Sequence, residues 1–364
     1  MKLPEQKIWA FLLLLFVAAT YFSCNRPSEG SNTAGKHITN TVNAKTETAP
    51  VPQNKNDDAA DDPAVWINFE NPAKSAIFGT DKKGGLATYN FSGEQLNYLP
   101  AGKVNNCDLR YGFSLNGKKT DILAASNRSL HSLSLFEIKK NGIPDSIHVR
   151  TIRSEMEDEV YGLCMYKSKA SGKFYVFMNS KAGEVEQWEL FDTQNRLDAR
   201  LVRSFNLGTQ TEGMVADDET GILYIGHEVA GIWKFDAEPT GSTEGQFIEN
   251  SSEENPNIKY DIEGLAIYDS GNGKGYLVAS SQGNYSFAVF ERQGNNMYLG
   301  SFRIVDGEVD GVEETDGIEI TSTPLPGFPK GLLVVQDGYN YDRKKKKSQN
   351  FKLVDWKEVE KLFK

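Results

Sequence analysis

Histidine and cysteine are scarce in this chain: 364 residues contain four of the first and three of the second. The histidines, His37, His131, His148 and His227, lie far apart, which argues against a zinc site. No Gly-x-Ser-x-Gly turn and no Cys-His pairing marks a covalent nucleophile. Positive charge is also short, with 40 Lys and Arg against 50 Asp and Glu, a formal charge of −10. Such a surface repels nucleic acid and other polyanions, so a phosphate-rich partner must be met by a local cationic patch or through metal. Long amphipathic helical patterns are missing before the C-terminal DWKEVEKLF. A hydrophobic fraction of 39% still gives a globular composition, not a disordered one.

The apolar run from Ile8 to Ala19 is too short to span a bilayer. With Lys2 and Lys7 ahead of it, it reads as a targeting segment over residues 1–23. Ser23 before Cys24 resembles a bacterial lipoprotein signal, with Cys24 acylated, although Tyr21 stands where leucine is usual. Plain secretion is the alternative, and both place the protein outside the cytoplasm. Residues 24–36 then form the lipidated cysteine and a polar tether, and 37–364 the folded domain, expected as a monomer in the cell envelope, at the outer membrane or in the periplasm. Membrane contact is expected through the lipid alone. Cys107 and Cys164 sit in apolar strand-like runs and read as buried thiols, though the compartment permits a bridge.

From Asp57 onward a polar residue followed by a short apolar run recurs six times, as DDPAVWI, CDLRYGF, VYGLCMY, TEGMVAD, IEGLAIY and TDGIEIT, about fifty residues apart. A turn and a second strand follow each, with Asn-Gly, Ser-Gly and Thr-Gly marking hairpins. Third and usually fourth strands follow. The pattern predicts an all-β chain, a six-bladed β-propeller with mostly four-stranded antiparallel blades, with packed sandwiches as the alternative. TVNAKTETAPV is expected to supply the outer strand that the last blade lacks. Trp66, Trp188, Trp233 and Trp356 read as core, and the basic run Lys344 to Lys347 as a solvated loop.

Hairpin pairing then sets Asp62 beside Lys82, Asp108 beside Arg128, Tyr161 beside Lys181, Glu212 beside Glu228, Glu263 beside Gln282 and Asp316 beside Asp337, all at one mouth of the channel. Lys82, Arg128 and Lys181 fall in one half of that ring, and Glu212, Glu228, Glu263, Asp310 and Asp316 in the other. The stretch Asp306 to Glu319 alone places seven carboxylates in fourteen residues. Charges that close repel by on the order of 1 kcal/mol per pair even in water, which favours a bound cation over bare carboxylates. Hard oxygen ligands on irregular backbone point to calcium, and calcium there would attract phosphate. A solvated acidic loop is the bland alternative.

The segments DDPAVW, TDKKGGLATY, NNCDLRY, AASNR, EVYG, QTEGMVADDE, IWKFDAEP, DIEGLAIY, GKGYLVASSQGN, ETDGIEI and QDGYN, in this order, resemble the β-propeller phytases from about Thr39 to Leu362. The resemblance implies a calcium-dependent phosphomonoesterase of the 3-phytase type. Such an enzyme releases phosphate stepwise from myo-inositol hexakisphosphate, with several calcium ions, a calcium-bridged water as nucleophile and an adjacent affinity site for a second phosphate. It places phosphate contacts at Lys82, Arg128, Tyr161 and Lys181, and a catalytic set at Lys82, Arg128, Tyr161, Glu212 and Glu228. Catalytic calcium ligands fall on Glu212, Glu228, Asp261, Glu263, Asp310 and Asp316, and structural ones on Asp61, Asp62, Asp337 and Asn340. Asp81, His227 and Tyr339 depart from the family pattern, and the missing acid at 227 bears on the number of calciums. Two other readings stay open: a single-metal propeller lactonase or phosphotriesterase, and a non-catalytic calcium-dependent lipoprotein that binds a phosphorylated glycan.

Overall fold

The structure, a computed structural model, describes residues 34–52, 58–343 and 345–364; the targeting segment, Cys24 and Lys344 lie outside the described residues. Six antiparallel blades follow one another along the chain. Their innermost strands are Ala60–Trp66, Val104–Leu115, Val160–Lys167, Thr211–Asp217, Ile262–Gly271 and Ile318–Thr321. Each packs against its neighbours, and the sixth returns to the first, closing the ring. Closure covers the apolar blade faces that the two ends of an open arrangement would expose, and leaves only short outer edges.

The expected outer strand is present and goes further than expected. Thr46–Glu47 pairs antiparallel with Asn350–Asp355 of the sixth blade, while Thr41–Asn43 runs parallel to Tyr298–Val305 of the fifth. The two ends of the chain are thus joined through sheet hydrogen bonds.

Each blade alternates its apolar residues onto both faces, because a blade is covered on both sides by its neighbours. The core consequently divides into six clusters, one per blade interface. Between the second and third blades, for example, Ile122, Leu133 and Leu135 meet Leu163, Val176 and Trp188. Trp356, on the short terminal helix Trp356–Glu360, stacks on Tyr268 at 4.4 Å and seals the fifth and sixth blades. Burial of a side chain that large contributes about 1.5–3 kcal/mol. Trp66 and Trp188 are also buried, and Trp233 packs edge-on against Phe247. Cys107 and Cys164 are buried free thiols.

The feature that builds the site is a bulge near the start of the innermost strand in each of the first five blades. Register shifts fall between Ala60 and Pro63, Val104 and Cys107, Val160 and Leu163, Thr211 and Met214, and Ile262 and Leu265. Two residues there face one on the partner strand, which turns their side chains out of the pleat. The doublets are Asp61-Asp62, Asn105-Asn106, Tyr161-Gly162, Glu212-Gly213 and Glu263-Gly264; Asp316-Gly317 holds the same place ahead of the sixth. The glycines are required by close approach. A Cβ on Gly162 would lie 1.9 Å from the Glu212 carbonyl oxygen, and one on Gly213 2.1 Å from that of Glu263.

Candidate active site

The first residue of each doublet carries the chemistry, giving Asp61, Asn105, Tyr161, Glu212, Glu263 and Asp316 around one mouth. This corrects two of the six lead residues expected at the mouth from sequence. Asp108 lies beyond the bulge, opposite Ala124 in the ladder, where its carboxylate accepts from Arg110 at 2.9 Å and from the Met165 amide at 2.7 Å. Asn105 takes its place at the mouth. Asp62 is the second residue of its doublet and is turned to accept the Cys107 amide at 3.0 Å, leaving Asp61 as the mouth residue.

Glu212, Glu228 and Glu263 are all buried and each offers an oxygen within 4.8 Å of the others. Glu212 Oε1 accepts from Asn105 Nδ2 at 2.7 Å. Glu228 Oε1 and Glu263 Oε2 are buried and accept no hydrogen bond. Desolvation, then the charge of Asp316, lifts the Glu212 carboxyl to about 7. Burial, with Asp261 behind it, lifts Glu228 to about 7, and burial and its neighbours push Glu263 well above the carboxylate range. Asp61 rises to about 8 and Asp316 to about 7, both chiefly by burial. Carboxyl groups lifted this far hold protons unless a cation replaces them. Open, hard oxygens in a buried acidic cup fit calcium.

The cations are woven into the same mouth. Lys82 Nζ lies 2.8 Å from Asp58, 3.0 Å from Asp61 and 2.8 Å from Asp316. Asp316 is held from its other oxygen by Gln282 Nε2 at 2.7 Å. Arg128 Nη1 donates to Asn105 Oδ1 at 3.1 Å, and its Nη2 to Glu159 Oε2 at 2.7 Å. The Tyr161 ring carries both remaining cations, Arg128 at 5.7 Å and Lys181 at 4.7 Å from its centroid. Burial and the surrounding carboxylates push the Tyr161 phenol far up, so it stays neutral and donates to Glu212.

The structure does not bring all expected ligands together. Asp310, Asp337 and Asn340 form a second cluster around the buried ammonium of Lys352, with Glu47 from the N-terminal strand. Asp310 also accepts the Tyr341 amide at 2.6 Å, and Asp337 those of Glu313 and Tyr339 at 3.2 Å. Asp310 therefore groups with Asp337 and Asn340, away from the glutamates it was expected to join, and Asp61 groups with Lys82 and Asp316, away from Asp337. Three carboxylates outnumber the one ammonium, so this cluster also suits a cation. Asp261 stands at the entrance to the fifth blade, where its carbonyl accepts the Gln282 amide at 2.9 Å. His227, in place of an acid, has its Nε2 against Thr209 Oγ1.

Asn105, Asp58, Glu159, Glu47 and Lys352 were missed by sequence reasoning. Asn105 was within reach, since Asn105-Asn106 matches Asp61-Asp62 as a polar doublet ahead of the apolar run. Lys352 carried no signal, being one lysine in an apolar strand.

Residues 9–364 match a family model described as Phytase. The chain is 44% identical over 371 aligned residues to a 3-phytase of Bacillus subtilis (strain 168), covering 99% of this chain and 94% of that relative. With a six-bladed propeller and a buried acidic cup beside tethered cations at its mouth, the chain belongs to the phytase family.

Proposed function

We propose that the protein is a calcium-dependent phosphomonoesterase of the 3-phytase type that removes phosphate stepwise from phytate. The observation that carries this reading is the cup of Glu212, Glu228 and Glu263, with buried oxygens that have no donor, opening beside Lys82, Arg128 and Lys181. Glu212, Glu228, Glu263, Asp261 and Asp316 are assigned to calcium there, and Asp310, Asp337, Asn340 and Glu47 to a second site. Calcium, when bound, supplies the positive charge that draws a phosphomonoester in and stabilises charge building on its phosphoryl oxygens.

The chain's own residues perform the rest. Lys82, fixed by Asp61 and Asp316, presents its ammonium beside the cup, where a phosphate oxygen would be gripped. Arg128 and Lys181, stacked on Tyr161, hold either the same phosphate or its neighbour on the inositol ring. Tyr161, donating to Glu212, aims that carboxylate and favours its charged form against the burial that opposes it. Burial of the three glutamates excludes water, which strengthens each of these contacts.

Residues 1–23 are proposed as a signal segment and Cys24 as a lipid anchor holding a monomer in the bacterial cell envelope. The support is the basic, apolar and Ser23-Cys24 sequence pattern. Incorporation of labelled fatty acid that is lost in Cys24→Ala tests the anchor; a Cys24→Ala protein that keeps the label excludes it. The functional test is phosphate release from phytate with calcium and with chelator. Release that needs calcium is expected, and a metal-stripped sample that works equally well rules the reading out.

A further inference from the structure

The cations facing the mouth are not left bare. Glu159 Oε2 lies 2.7 Å from Arg128 Nη2 and 3.5 Å from Lys181 Nζ, bridging the two groups that flank Tyr161. Its position is built in. Glu159 ends an acidic segment, Glu155, Glu157, Asp158 and Glu159, that leads into the third blade. The backbone amides of that segment are accepted by two carboxylates of the strand Glu184–Thr193. Glu186 takes the Glu155 amide at 2.7 Å, and Glu184 takes those of Glu157 and Asp158 at 3.2 Å. Glu186 is itself buried and fixed by Trp188 Nε1 at 2.9 Å. Three backbone amides are thereby pinned ahead of Glu159, the member of the segment that reaches the cations.

The Glu159 bond is replaceable. Its side chain is 38% exposed, so it can leave for water without unfolding anything. Arg128 Nε is buried and has no partner, so a single carboxylate oxygen on Nη2 satisfies the guanidinium only in part. An anion with two oxygens for the Nε and Nη2 edge binds such a group better. Although burial alone would raise the Glu159 carboxyl, Arg128 and Lys181 hold it below its ordinary value, so it is an anion throughout the neutral range.

We propose that Glu159 is an internal competitor for phosphate, occupying the place between Arg128 and Lys181 that a substrate phosphate takes. This rests on the phosphatase reading and adds a specificity rule to it. A ligand with several phosphates displaces Glu159 because its other phosphates hold it at the cup. A lone phosphate, or an inositol left with few, meets the returning carboxylate and departs. Glu159 thus biases the site toward highly charged substrates and speeds product release.

The test is calorimetric titration of the full chain, in calcium, with inorganic phosphate below its precipitation limit, alongside steady-state hydrolysis of phytate. In Glu159→Gln the phosphate Kd is expected to fall about two- to fivefold, the range of an exposed ion pair. The gap from the parent should narrow as salt rises, because the competition is electrostatic. Glu159→Ala should move the same way. Unchanged or weaker phosphate binding in both variants, or a gap that salt does not alter, overturns the proposal and makes Glu159 a positioning residue for Arg128. Failure of the parent to hydrolyse phytate would count against the enzymatic reading, while the phosphate titration would still decide the role of Glu159.

Discussion

Replacing Asn105 by aspartate puts a carboxylate where an amide now separates charges, and the structure sets the size of the effect. Asn105 Nδ2 is 2.7 Å from Glu212 Oε1 and 3.3 Å from Asp61 Oδ1, while its Oδ1 accepts from Arg128 at 3.1 Å. Asn105→Asp removes a hydrogen bond to a charged group, about 1.5–3 kcal/mol. It adds two repulsions and one attraction, each about 4 kcal/mol at 4 Å with an effective dielectric of 20. Glu212, already lifted to about 7, answers by taking up a proton, which caps the loss. A net cost of about 4 kcal/mol without calcium corresponds to a melting point lower by about 5 °C in a chain of this size. Calcium should close much of that gap, because the ion offsets the added charge. Asn105→Ala serves as the control: it loses the hydrogen bonds without adding charge, so its deficit should be smaller in chelator. Thermal unfolding of the three proteins in calcium and in chelator is the assay. A chelated Asn105→Asp protein melting within about 2 °C of the parent would refute the placement of Asn105 between carboxylates, and a gap indifferent to calcium would refute the metal.

Glu228→Gln should lower phytate turnover about tenfold or more at saturating substrate, since a neutral amide at the cup holds a divalent ion poorly; a normal kcat would remove Glu228 from the site. Lys181→Ala should mainly raise KM, because Lys181 is held by the Tyr161 ring and Glu159 and makes no ion pair with the glutamate cup, and complete loss of kcat would contradict that division of roles. Deleting residues 1–51 removes two strands and the Glu47 partner of Lys352, so the cooperative melting transition should be lost; an unchanged transition would show that closure is not needed. Asp217 is held below its ordinary value because its paired hydrogen bonds and ion pair with Arg292 outweigh burial. A depressed folded-state value stabilises above the unfolded one and ceases to do so as pH falls through the folded one. Asp217→Asn should therefore melt lower than the parent at pH 7 but converge with it in strong acid; a gap that persists there would refute the linkage.

Six repeats of a polar lead and an apolar run were enough to read the fold, because hairpin turns and strand periodicity are local. Glu212, Glu263 and Asp316 could be placed at the mouth for the same reason, each being the lead of a repeat. Asp108 misled because a bulge changes which residue of a strand faces inward, and a bulge adds only one residue to a pattern of period two. The grouping of Asp310 with Asp337 and Asn340 depended on Lys352 and Glu47, which lie 305 positions apart and meet only when the ring closes. Glu159 escaped notice because an acidic loop reads as solvated until Lys181, across its own hairpin, and Arg128, from the preceding blade, are seen beside it.

The earliest-made strands of this protein wait for the last-made. Among the described strands Thr41–Asn43 and Thr46–Glu47 leave the ribosome first, yet their partners Tyr298–Val305 and Asn350–Asp355 belong to the last two blades. A chain stopped short of its final blade leaves Thr46–Glu47 without its partner and a blade flank uncovered, which marks it for proteases in a way that no finished copy is marked.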